Sequence, residues 1–207
     1  MIKLYKLTDR DGQTRNDTQW GPGVSHSGTG EGELCGPGWI HAYEHPLVAV
    51  LMIPIHARFK NPRLWEAEGE VGLRDGQLKC GCKTLTTIRE IPLPEITTEM
   101  RVRFAILCAK EVCGADLPWN AWADKWLSGG DRTQAAASAA WAWAASASAA
   151  RASWSAEAAA WSAASAWAAA ASAAWAAAAR AAAWAAREVG HGIDIFEIAE
   201  KACSGLR

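Results

Sequence analysis

Apolar and polar residues alternate from Ile2 to Leu7, the two-residue period of a half-buried strand. Residues 63–71 and 83–93 alternate in the same way and are predicted as strands. Asp11-Gly12 is a hairpin-turn signal. The stretch from Gly21-Pro22-Gly23 to Gly38 is rich in Gly, Ser and Thr and reads as loop. Residues 46–53 form a short apolar run opened by Pro46, a residue suited to the first turn of a helix. Pro92 and Pro94 close this region.

Beyond them the period changes to that of helices. Thr97 or Thr98 caps a helix running to about Val112, with Met100, Phe104, Leu107 and Cys108 on one face. A second helix starts near Pro118 and sets Trp119, Trp122 and Trp126 at i, i+3 and i+7, a single stripe. Ser128-Gly129-Gly130 ends it, and Asp131 is placed to cap the alanine-rich region. Gly190 and Gly192 interrupt the chain again, and Asp194 caps a last helix to about Cys203.

Between those breaks lies the most biased segment. Residues 135–187 hold 34 alanines in 53 positions, with seven tryptophans, Trp141, Trp143, Trp154, Trp161, Trp167, Trp175 and Trp184. Alanine is the strongest helix former, so the segment is predicted helical. One straight helix from Asp131 to Arg187 would be about 85 Å long and would leave some indoles exposed. Two or three antiparallel helices bury both sets, with turns near Ser146–Ser148 and Ser162–Ser165. The expected fold class is therefore α+β: a small mixed domain with a β-sheet over residues 1–96, then an all-helical antiparallel bundle rich in Ala and Trp over residues 97–207.

Composition narrows the function classes. The formal net charge is -1, which argues against a nucleic-acid footprint. Residues 158–179 carry no charge and are long enough to span a bilayer. They contain no Leu, Ile, Val or Phe, and Ser162, Ser165 and Ser172 oppose insertion, so no membrane partner is expected. The start, Met1-Ile2-Lys3-Leu4-Tyr5-Lys6-Leu7, is short and charged rather than a secretory signal. Six cysteines are too few for a disulfide scaffold in this chain, so they are read as reduced thiols of a cytoplasmic protein.

Candidate chemistry is sparse. Cys35, His41, His45, Cys80 and Cys82 are zinc-ligand types, but their spacings are not those of a ribbon or finger, and no metal is expected. Gly28-Thr29-Gly30-Glu31-Gly32 lacks the following Lys-Ser/Thr of a phosphate loop. The Trp119, Trp122 and Trp126 stripe is either core or an aromatic patch for a partner. His41 follows a Gly-Trp turn, and Tyr5, Glu66, Glu68 and Glu90 complete a polar set with it.

Leu4-Tyr5-Lys6-Leu7-Thr8, Gly38-Trp39-Ile40-His41-Ala42, Leu64-Trp65-Glu66-Ala67-Glu68-Gly69-Glu70-Val71 and Ile88-Arg89-Glu90-Ile91 occur in that order. Together they resemble a small uncharacterised domain common in phages and prophages, over roughly residues 1 to 93. The Gly-aromatic-x-His piece is also similar to small domains with an ADP-ribosyltransferase-like fold. That resemblance implies NAD as cofactor, with His41 holding the nicotinamide ribose, Tyr5 beside it, and Glu68 or Glu90 acting on the acceptor. Lys6 stands where those enzymes carry a first-strand His or Arg. Trp126-Leu127-Ser128-Gly129 leading into alanine-rich chain resembles helical domains of bacterial immunity-like proteins, over about residues 100 to 203.

The expectation is a phage-derived, non-enzymatic binding protein that blocks or buffers a host factor. Its partner is a host protein or small molecule, and it has no cofactor. A homo-oligomer is compatible with the sequence. The alternative is an ADP-ribosyltransferase-like enzyme using NAD.

Overall fold

The computed structural model describes residues 1–53, 59–112, 118–140, 161–164, 166, 177, 180–181 and 193–204. Trp141, Trp143, Trp154, Trp167, Trp175, Trp184, Cys113, the glycine breaks at Gly190 and Gly192, and the turn expected near Ser146–Ser148 lie outside them. The protein is mixed α+β and forms two compact units, Met1–Glu95 and Ile96–Arg207.

The first unit contains β1 (Ile2–Thr8), β2 (Gln13–Thr14), β3 (Thr18–Gln19), β4 (Ser25–Ser27), β5 (Ile40–Ala42), α1 (Pro46–Leu51), β6 (Arg63–Asp75) and β7 (Lys79–Ile91). The strands β6 and β7 form a hairpin of two 13-residue strands, turning through Gly76 at φ 51°. β1 lies antiparallel along β6, and β4 and β5 share the other edge of β7. The residue after β5, Tyr43, then pairs with Tyr5 of β1, with N···O distances of 2.7 and 2.9 Å. The ring β1–β6–β7–β5 is thereby closed.

Alternation decides what this ring encloses. Leu4, Lys6 and Thr8 of β1 are buried, as are Trp65 and Ala67 of β6 and Cys80, Cys82 and Leu85 of β7. Trp20 enters this core from the end of the β2–β3 hairpin, its Nε1 donating to Thr14 Oγ1 at 3.0 Å. The Trp65 indole donates to Thr8 Oγ1 at 3.0 Å, so the largest buried side chain of the unit is also polar-satisfied.

Both long strands differ from their expected limits. β6 runs four residues past Val71, and β7 opens at Lys79, ahead of residue 83. The added part of β7 is Cys80-Gly81-Cys82, where small side chains hide the alternation. Within the segment read as loop, Ser25–Ser27 is a strand, and Ile40–Ala42, just past that segment, is the next. Three-residue strands are too short to display a period.

The glycines seat an aromatic ring. A Cβ on Gly72 would lie 2.3 Å from Trp39 Cζ3, and one on Gly81 would lie 3.1 Å from Trp39 Cβ. Trp39 therefore packs closely against the β6–β7 hairpin only because both positions lack side chains.

The second unit contains α2 (Thr98–Val112), α3 (Pro118–Leu127), helical residues 134–140, and α4 (Ile195–Ser204). Thr97 Oγ1 accepts the Met100 N–H at 3.2 Å, capping α2. Asp194 Oδ1 accepts from the N–H groups of Phe196 and Glu197 at 3.1 and 3.0 Å, capping α4. Gly129 adopts φ 79° after α3, where the Gly130 N–H returns to the Lys125 carbonyl at 2.8 Å. The cap expected at Asp131 falls on Thr133, whose Oγ1 accepts the Ala136 N–H, while Asp131 holds Thr133 in turn. The turn expected near Ser162–Ser165 meets helical residues at 161–164, with Ser162 buried. Trp161 packs against Ala105 of α2 and Ala181. Among the described residues no helix is long and apolar enough to cross a membrane.

Gly72→Val is expected to lower the urea midpoint by an amount equivalent to about 1–3 kcal/mol, the usual cost of overfilling a packed site. Combining it with Trp39→Ala should cost less than the sum of the two single changes. Strict additivity would mean the indole does not sit on that glycine.

Candidate functional site

His41 is the middle residue of β5 and lies opposite Gly81 of β7. The strand period turns Ile40 and Ala42 to the core and His41 to the other side. Its Nε2 is hydrogen-bonded to the Leu34 carbonyl. A carbonyl only accepts, so Nε2 carries the proton. Burial holds the imidazole below its ordinary pKa; the Lys79 and Lys6 charges add to this, and the Leu34 carbonyl opposes it. The ring is therefore neutral at pH 7.

The other members of the polar set lie on different parts of the sheet. Tyr5 sits opposite Glu66 on β6, and its backbone partner Tyr43 is two residues beyond His41. Glu68, opposite Lys3, shares the outer face with Tyr5 on the neighbouring strand. On that face Lys3 and Arg89 grip Glu66 at 3.0 and 2.7 Å, and these hydrogen bonds hold its carboxyl below the usual range. Glu90 pairs in register with Trp65, on the opposite face, and is bound to Arg63. That hydrogen bond holds its carboxyl below the usual range. Tyr5 and Glu68 are thus near neighbours, His41 is close along the chain to Tyr5's partner, and Glu90 is separate. Among the described residues no carboxylate hydrogen-bonds to His41.

The group that sequence reasoning missed is inside the ring. Lys6 is 7% exposed, between the inward positions of Leu4 and Thr8. Its Nζ donates to the His41 carbonyl at 2.8 Å and lies 4.8 Å from the Trp20 ring centroid. Burial brings its pKa down to about 8, with Cys82 and Cys80 acting in the opposite sense. Cys80 and Cys82 are fully buried and two apart on β7, so their thiols lie on the same side of the strand. The Cys80 thiol is held up, first by its interaction with Cys82 and then by burial, while Cys82 is lowered by the same interaction and by Lys6. The even-numbered alternation of β1 was the available signal for Lys6, but a lysine at such a position reads as solvent-facing. On the surface nearby, Lys79 donates to Cys35 Sγ at 3.0 Å.

In the second unit Trp119, Trp122 and Trp126 are buried, at 1, 8 and 5% exposure. Trp119 and Trp122 meet at a centroid distance of 6.0 Å. The Arg132 guanidinium lies 4.7 Å from the Trp126 ring and pairs with Glu99 at 2.6 Å. The stripe is buried rather than exposed to solvent. Among the described residues no acceptor meets the Nε1 of Trp119 or Trp122.

No family model, no curated protein and no solved structure matches this chain.

Lys6 makes stability depend on pH in a definite direction. Its pKa is 10.5 in a free chain and about 8 in the fold, so the unfolded chain binds more protons between those values. Stability from this group therefore rises with pH from about 8 to 10.5, and the full penalty stands below 8. The gap corresponds to about 3 kcal/mol. Lys6→Met is expected to be more stable than wild type by about 1–3 kcal/mol at pH 7, the lost hydrogen bond to His41 offsetting part of the gain. That advantage should shrink through the window. An advantage constant from pH 7 to 10.5, measured by urea unfolding, would show that Lys6 is not the titrating group.

Proposed function

We propose that this chain is a non-enzymatic binding protein that blocks or buffers a bacterial host factor in the cytoplasm. The factor is a host protein or small molecule, not nucleic acid or membrane. The phage origin rests on the resemblance of residues 1–93 alone. The observation that carries the non-enzymatic reading is the seating of His41. Its Nε2 is engaged by the Leu34 carbonyl, Glu66 opposite Tyr5 is held by Lys3 and Arg89, and Glu90 is held by Arg63. A nucleotide site needs such groups free to meet a ligand.

Calorimetric titration with NAD tests this. No heat of binding is expected for the wild type, and His41→Ala should lose about 1–3 kcal/mol of stability, as for a broken buried hydrogen bond. Saturable micromolar binding of NAD, abolished by His41→Ala without loss of fold, would overturn the reading in favour of an ADP-ribosyltransferase-like enzyme.

The second unit, in this reading, is an antiparallel helical bundle packed through alanine and tryptophan. The packing of Trp161 between Ala105 and Ala181, distant in sequence, supports it. Trp161→Ala should cost about 2–4 kcal/mol, somewhat below the range for a fully buried aromatic because the ring is only partly buried. An unchanged urea midpoint would remove the bundle.

A further inference from the structure

Two thiols and an amine share the interior of the first unit, and among the described residues no carboxylate pairs with the amine. Cys80 and Cys82 are two apart on β7, so the strand period turns both sulfurs to one side. Both are fully buried in one cluster with Leu4, Trp20, Ala42 and Leu85. Lys6 reaches the same interior from β1, its Nζ held by the His41 carbonyl. His41 is the residue paired with Gly81, the one between the cysteines, so this hydrogen bond brings the ammonium to the level of the two thiols. The carboxylate that acts on both thiols, Glu44, is itself held by Arg74 at 3.0 and 3.1 Å.

A buried cation beside two thiols is costly in the metal-free protein. It is balanced when the thiols become thiolates around a metal. Two thiolates carry two negative charges; a monovalent ion cancels one and Lys6 the other, so the interior becomes neutral. A divalent zinc ion would call for three or four protein ligands, and among the described residues no group of three or more ligating side chains exists. Thiolates select soft ions, and hard cations require oxygen.

We propose that Cys80 and Cys82 form a two-coordinate site for a soft monovalent metal ion, Cu(I) or Ag(I), with Lys6 as the charge-compensating group. On binding, two S–H bonds break, two metal–sulfur bonds form, two protons pass to solvent, and no electron moves. The site does not depend on the binding function proposed above.

The test is anaerobic titration of the reduced full-length protein with Cu(I) alone, against a chromogenic Cu(I) chelator. The wild type should withdraw one equivalent that Cys80→Ser and Cys82→Ser each lose and Cys35→Ser keeps. Lys6→Met should weaken that equivalent by about tenfold or more, the size of effect expected from removing a neighbouring buried charge. Urea midpoints without metal establish that each variant is folded. X-ray absorption of the wild type at one equivalent should show two sulfur neighbours, and this reading holds even if a serine variant fails to fold. Failure of the wild type to compete, retention of the equivalent by folded Cys80→Ser or Cys82→Ser, an unchanged affinity in Lys6→Met, or a shell with three sulfurs or with nitrogen or oxygen would each overturn the proposal.

Discussion

The pairing of Tyr5 with Tyr43 closes the first unit. Without it the β1–β6–β7 sheet would have an open edge at β1, with unpaired backbone groups beside an apolar face. Three-residue β5 supplies the closure because its backbone serves two neighbours in succession: Ile40–Ala42 on β7, then Tyr43 on β1. The interior is a consequence of this closure. Leu4, Lys6, Ala42, Cys80 and Cys82 are brought together by strands far apart in sequence, and the His41 carbonyl is fixed where the Lys6 amine can use it.

This arrangement separates two kinds of polar group. Those at the surface sit in ion pairs, such as Glu66 between Lys3 and Arg89 and Glu44 with Arg74. Exposed pairs of this kind add little to stability and present no concentrated field to a charged partner. Lys6 is the opposite case, a cation retained where water is excluded, at a cost that the fold bears. Such a cost is most often found where a chemical role maintains it.

Parts of this were legible from the amino-acid order. The alternation of Ile2 to Leu7, the Pro46 helix start and the caps at Thr97 and Asp194 each follow from a local rule that depends on neighbours in the chain. The features that were not legible depend on partners far away. β5 has no period of its own, and Cys80-Gly81-Cys82 extends β7 because Ile40–Ala42 lies beside it. The burial of Lys6 needs both the alternation of β1 and the closed ring, and only the first can be read from the chain. His41 stands out by its Gly-Trp setting, but the Leu34 carbonyl that engages it comes from a loop whose path no local signal fixes.

The seat of Trp39 also imposes an order on assembly. Gly72 and Gly81 come from different strands, so the indole has no place to dock until β6 and β7 have paired. That hairpin closes a short loop and can form early; the β1–β6 ladder joins residues about sixty positions apart and carries a larger entropic cost. The segment containing Leu34, Cys35 and Trp39 therefore settles only after that hairpin and, by reversal, can lift while it stays paired. Brief openings of that cover would bare the side of β7 that carries Gly81, opposite the side that carries Cys80 and Cys82, so amide protons there would exchange while the interior stays closed.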